Sequence, residues 1–343
     1  MQEELAQILE LPFEQELHMI YIMIAARMQS AEGNVREIEG QLNKVERNLE
    51  NASNDVLYLY HRNKGTFEYA NDIHTCLSHY LQALDYNDNK LRPDITLLYA
   101  IGTCYSHINR PIIAMRYLER AKNEYKGDLS NMVLNAIDNA LADCYIFLGE
   151  PEKALTLLTT SLMQARSYGN DLTTIMTLLT LGHVNYKLKN YKESIENNDE
   201  VFTLSYHKLE WPKPQGALNN CVWALVRKAK CLIALKNFAG CTDVLNKARE
   251  VAKDDQKSII EIETARHMMT PNDSASLNYL ETVSLPYYRN YDAMGVEFII
   301  DTLELCDTLE TVYRKRRAAK KADAIVNIIR GIYKEIIYGP SGD

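Results

Sequence analysis

A spacing of small and aromatic residues recurs along this 343-residue chain and limits what it can fold into. In LLYAIGTCYSHINRPIIAMRYLERA, residues 97–121, Gly102 is followed by Tyr105, Ala114, Leu118 and Ala121. The same marks return as Ala142, Tyr145, Ala154 and Leu158, then as Gly182, Ser194 and Val201, then as Ala229, Cys241, Leu245 and Ala248. Small side chains on either side of a turn let two antiparallel helices approach closely. The tyrosine and leucine fill the space beside that contact.

The pattern is that of a tetratricopeptide-type helical hairpin, whose usual period is about 34 residues; here the step is about 40, so helices or turns are longer than usual. A chain of this kind grows by stacking, so its length need not divide into globular domains. Hydrophobic residues make up 46% of it, enough for a continuous core, and 9 Pro and 14 Gly are few for a sheet-rich protein. No Val/Ile/Thr alternation bounded by turn dipeptides is sustained. The expected fold is an all-α, right-handed superhelical solenoid of about seven to eight helical hairpins.

Along the chain, residues 1–13 read as an amphipathic stump or linker, with Leu5, Ile8 and Leu9 on one face ahead of Pro12. Residues 14–84 read as diverged N-terminal helical repeats, 85–206 as central repeats and 218–338 as C-terminal repeats. Residues 207–217, with two prolines and a glycine, read as a hinge. Inner turns are expected at Asn109-Arg110-Pro111, Gly149-Glu150-Pro151 and Lys189-Asn190. The hairpin at 172–206 has a polar core: Asn185 stands where Tyr105 and Tyr145 stood, and Asn198 where Leu118 stood. A degenerate repeat is expected over 258–306, and a last hairpin is marked by Leu309, Tyr313, Ala322 and Ile329. The basic run from Tyr313 to Lys321 falls in the turn of that hairpin, where a solvated helix end is the default reading.

Nothing in the sequence points to catalysis. There is no phosphate-binding glycine loop, no GxSxG, no HExxH and no CxxC. No cofactor and no metal site is expected, and His74 and His79, five apart, are poorly spaced for a shared metal on one helix face. The seven cysteines are an odd number without paired spacings. Cys104, Cys144 and Cys231 share one repeat position and read as small buried hydrophobes. A net charge of −8 argues against non-specific nucleic-acid binding by the chain as a whole. No signal peptide or membrane-spanning run is read, so a cytoplasmic location with no membrane partner is expected.

The inner surface of the stack carries more information. In stacked hairpins the first helix of each repeat lines the concave face, through residues three before and one after the small position. That rule displays Tyr99, Thr103 and Ser106, then Asn135, Asn139 and Asp143, then Leu179, His183 and Tyr186, then Asn219, Trp223, Val226 and Lys230. An asparagine offers a donor and an acceptor together, which matches the amide of an extended peptide. The candidate peptide-binding residues are therefore Asn139 first, with Asn135 and Asp143 on the same helix. Tyr99, Thr103, His183, Tyr186, Asn219, Trp223 and Lys230 complete the lining. A lysine clamp for a carboxylate needs several cations at these positions, and Lys230 alone qualifies.

The long repeats, the turns LGEPEKAL and LKNYKESI, and the C-terminal pattern YLETVSLPYY…YRKRRAAKKADAIVNIIRGIYK together resemble the Rap/NprR/PlcR/PrgX (RRNPP) family of peptide-pheromone receptors of Gram-positive bacteria. The resemblance covers about 55–335 and is one of pattern. It implies a repeat superhelix that binds a short, linear signalling peptide through asparagines on inner helices, and a homodimer built on C-terminal repeats. It also implies a role in transcription regulation. Most members carry an N-terminal helix-turn-helix domain, for which the thirteen residues before the first repeat leave no room. DNA would then be reached through a missing N-terminal domain or a partner protein. A tetratricopeptide adaptor docking a protein partner, or a Rap-like phosphatase or anti-activator, is the alternative function.

Overall fold

A computed structural model of the chain describes residues 42–43, 46, 49, 52–69, 71–87, 94–126, 131–206, 215–289 and 296–338. The expected fold class is observed: the described residues form an all-α solenoid of tetratricopeptide-like hairpins. The segment 1–13, the helices expected before residue 42 and most of the hinge at 207–217 lie outside the described residues. Two compact units are formed. One comprises the chain up to Ile108 together with Arg116–Glu124, the other Asn109–Met115 and the chain from Tyr125 onward.

The first unit contains α1 (Asn54–Glu68), α2 (Ile73–Tyr86), α3 (Ile95–His107) and most of α4 (Pro111–Glu124). Each start signal is chemical: Ser53, Asp72 and Asp94 cap α1, α2 and α3 by accepting the backbone N–H of Val56, His74 and Leu97. The core is Cys76, Leu77, Tyr80, Leu97, Ile101 and Cys104. Asp94 also receives Tyr58 and pairs with Arg62 at 2.9 Å. Burial works against its charge, but Arg62 overrides that and holds the carboxyl below its usual range.

The second unit stacks α5 (Asn131–Phe147) with α6 (Pro151–Ser167), α7 (Asp171–Lys187) with α8 (Tyr191–Tyr206), and α9 (Gln215–Ala234) with α10 (Phe238–Ala252). Next come α11 (Gln256–Met268) and a broken helix made of α12 (Ser274–Tyr279), a π-helical turn at Leu280–Ser284 and α13 (Leu285–Tyr288). The break sits just ahead of Pro286, which has no N–H to give the preceding turn. The last hairpin is α14 (Val296–Lys315) with α15 (Ala319–Tyr338). The degenerate repeat therefore ends earlier than the expected 306: Leu305, Cys306 and Leu309 lie on α14 and share one core with Ala322 and Ile325 of α15. The basic run does fall at the turn of this hairpin, where Arg317 takes a φ of 56°.

The small positions of the ladder are buried in the helix contacts. Ala142, Ala154, Ala229 and Cys241 are all fully covered, and all seven cysteines are buried free thiols. At Gly182 the requirement is strict. A Cβ there would lie 2.7 Å from the Asn198 amide nitrogen, and Ser194 Oγ donates to the Gly182 carbonyl at 2.7 Å. The polar core expected for this hairpin is thus present: Asn185 donates to Asn197 Oδ1 at 3.0 Å and Asn198 to the Ser194 carbonyl at 2.7 Å.

Helix α7 is the most enclosed element of the unit despite its polarity. Thr173, Thr174, Thr177, Thr180, His183 and Asn185 are buried on it. Thr174, Thr177 and Thr180 return their hydroxyls to carbonyls one turn earlier, so burial leaves those donors satisfied. One reason for the enclosure is α14, whose Ile300 joins Ala142, Ile146, Leu181 and Val184 in one cluster, while Ile299 packs with Ile332 and Ile336 beside Phe147. The C-terminal hairpin therefore packs back onto the first helices of the preceding hairpins. Among the described residues no helix is long and apolar enough to cross a membrane.

Candidate peptide-binding groove

The first helices α5, α7 and α9 lie side by side, and aligning them on Ala142, Gly182 and Ala229 sorts their inner residues into rows. One row is Asp143, His183 and Lys230; the next is Asn139, Leu179 and Val226. Toward the helix N-termini come Ala136, Met176 and Trp223, then Met132, Leu172 and Asn219.

The rows nearest the helix C-termini are covered by α14. Lys230 Nζ donates to Asp301 at 2.7 Å and to Glu304 at 3.2 Å, and the Tyr186 hydroxyl donates to Glu304 as well. Burial alone would lower the Lys230 ammonium, but Asp301 and then Glu304 hold it above the ordinary lysine range. Burial likewise opposes charge on Glu304, and Lys230 followed by Lys187 keeps it ionised. Burial first, then Glu304, pushes Tyr186 well up. Lys187, with its ammonium 5.8 Å from the Tyr186 ring centre, is lowered by burial. His183 is almost completely buried, and burial together with Arg227, Lys187 and Lys230 holds it neutral.

The rows nearer the N-termini stay open: Met132, Leu172, Met176 and Trp223 are exposed. At the border between the covered and open parts stands Asn139. Its amide nitrogen donates to Thr177 Oγ1 of α7 at 3.3 Å, while its carbonyl oxygen is shielded and has no partner among the described residues. A buried acceptor without a donor is costly to maintain and is a natural place for a ligand N–H. On the far side of α7, Arg227 of α9 reaches across to the Leu179 carbonyl at 3.4 Å.

The expected site residues are thus divided. Asn139 and Trp223 lie at the open part, with Asn219 half-buried in the outermost row. Asp143, half-buried, shares the row of His183 and Lys230. Tyr186 and Lys230 are engaged by α14, and His183 is packed beneath. Asn135 requires correction. It is only 1% exposed and donates to the Ser161 carbonyl and hydroxyl, so it joins α5 to α6. It stands seven residues before Ala142, two full helical turns, and so shares the packing face of that alanine. Tyr99 and Thr103 belong to the other unit, where Thr103 Oγ1 donates to the Tyr99 carbonyl at 2.9 Å.

Sequence spacing overlooked Thr177, Arg227, Asp301 and Glu304. The repeat register could have found Arg227, which aligns with Ala140 and Thr180 and so stands out among short side chains. It could not have found the two acids, which lie 71 and 74 residues from Lys230. It also overlooked a contact in the first unit, His61 Nδ1 to His79 Nδ1 at 2.9 Å.

Comparison with known proteins agrees with the architecture. A tetratricopeptide-repeat family model matches residues 133–205. Among curated proteins no sequence matches this one. A solved Rap protein in complex with competence and sporulation factor superposes with a TM-score of 0.73 at 16% identity, over 98% of this chain and 92% of that one. The apo quorum sensor NprR from B. thuringiensis gives 0.71 at 15%, over 97% and 91%. The Rap conjugation gene regulator of plasmid pLS20, with the Phr* peptide, gives 0.62 at 12%, over 93% and 98%. The resemblance to the Rap/NprR group seen in the repeat pattern is therefore a resemblance of fold along nearly the whole chain.

Proposed function

We propose that this chain is a cytoplasmic receptor for a short linear signalling peptide, held against α5, α7 and α9 of the second unit. One observation carries the reading: the shielded, unpartnered Asn139 carbonyl at the edge of an exposed apolar stripe. The likeness in fold to NprR solved with its cognate peptide and to the pLS20 Rap regulator solved with the Phr* peptide supports it. Asn139 accepts a backbone N–H of the peptide, and Met176 and Trp223 receive its side chains. Occupancy is passed to a protein or DNA partner that controls transcription, through a homodimer formed by C-terminal repeats.

The test equilibrates the chain with a random hexapeptide library, sequences what is retained, and titrates the best peptide calorimetrically. Asn139→Ala is expected to weaken binding about ten- to a hundred-fold, since a lost partner for a shielded amide costs about 1–3 kcal/mol. Its melting temperature should stay near that of the parent. Retention of no peptide would remove the receptor reading and leave the adaptor. Equal affinity of Asn139→Ala and parent would remove Asn139 from the site.

A further inference from the structure

Among the described residues Arg227 is an inner-face cation with no acid within ion-pair range. Lys230 is held by Asp301 and Glu304, and Lys228, next in the chain, pairs with Asp199 at 2.6 Å. Among the described residues Arg227 forms no ion pair. Its one hydrogen bond is the long one to the Leu179 carbonyl, which leaves most of a five-donor guanidinium unused. It is half-buried, one helical turn after the exposed Trp223, and its row neighbours Ala140 and Thr180 are too short to cover it. A guanidinium in that setting is matched by a carboxylate, which it can take through two parallel hydrogen bonds. Asp301 and Glu304, which α14 brings to this face, are already engaged by Lys230 and Tyr186.

We infer that the ligand of this groove is an apolar peptide whose free C-terminal carboxylate pairs with Arg227. The inference rests on the peptide-receptor reading and names the ligand's chemistry. The apolar stripe of Met132, Leu172, Met176 and Trp223 asks for apolar side chains. The terminal carboxylate is the one negative group every short linear peptide carries, whereas an acidic side chain is optional. The geometry sets a length as well. Asn139 and Arg227 reach α7 from its two sides, about 10 Å apart across one helix. An extended chain covers that in roughly three residues at about 3.3 Å each. The carboxylate at Arg227 therefore belongs to a residue about three positions beyond the one whose N–H meets Asn139.

The test passes random hexapeptides, made both as free acids and as C-terminal amides, over immobilised full-length chain, and sequences what each column retains. Parent, Arg227→Gln and Arg227→Lys columns are compared, with circular dichroism as the check on folding. Free acids rich in apolar residues are expected to be retained at least tenfold over the matching amides on the parent. Arg227→Gln should erase that preference and Arg227→Lys should keep part of it. Equal retention of acids and amides would overturn the carboxylate pairing while leaving the receptor reading intact. A preference that survives in Arg227→Gln would overturn the assignment to Arg227, and selection of charged over apolar peptides would overturn the ligand class. Retention of nothing would remove the receptor reading itself. Should Arg227→Gln fail to fold, the acid-to-amide ratio on the parent and on Arg227→Lys decides.

Discussion

At the scale of single residues, Gly182 does work that no other side chain can do in its place. Asn198 lies where a Cβ would go, and Ser194 hydrogen-bonds the carbonyl. Gly182→Ala should destabilise the second unit by about 1–3 kcal/mol through overpacking, seen as a lower melting temperature; an unchanged midpoint would show that Asn198 yields freely. The small positions were legible because close helix contact admits few residue types, and the spacing repeats. Asn135 was misread for a reason just as local. A residue two turns from a packing alanine faces the neighbouring helix whatever its chemistry, and polarity alone drew it toward the groove. Asn139 was legible as a groove position, but its shielded carbonyl was not, since that depends on what α7 brings alongside.

At the scale of elements, α14 is the piece that repeat reading could not anticipate. Hairpins α5–α6, α7–α8 and α9–α10 each announce themselves by a local period, and the polar composition of α7 reads as a weak core. Its threonines are instead satisfied along their own helix, and α14 covers its inner side. The cover is held by charge as well as by Ile300, because Lys230 meets Asp301 and Glu304 with little solvent at hand. Removing one member of such a group strands the others. Lys230→Met should cost about 3–5 kcal/mol, and adding Asp301→Asn to it should recover part of the loss by taking away one stranded acid. Urea unfolding of the single and double variants measures this. A double variant no more stable than Lys230→Met would mean that Asp301 is solvated well enough without its lysine.

At the scale of the whole molecule, both units bury histidines that the folded chain keeps neutral. Burial first, then His79, lowers His61 from 6.5 to about 4, partly offset by Glu46. His183 is lowered well below its usual value, chiefly by burial. The sign follows directly. Between the folded and unfolded values the unfolded chain takes up a proton that the folded chain refuses, so stability is full above about pH 6.5 and falls as the pH drops toward 4. For His61 alone the loss is roughly 3 kcal/mol at about 1.4 kcal/mol per unit. Urea midpoints should fall between pH 7.5 and 5, less steeply in His61→Gln; a flat profile would rule the mechanism out. The α14 cover has one more consequence, for how the protein is made. In a simple stack each repeat meets only its neighbours and can settle as soon as it is synthesised. Here Tyr186 finds its partner 118 residues further on, in Glu304. A nascent chain that has completed α5 through α10 still presents the inner side of α7 and the ammonium of Lys230 to solvent. The second unit therefore closes only once α14 and α15 have left the ribosome, and residues translated long after α7 complete a surface that α7 began.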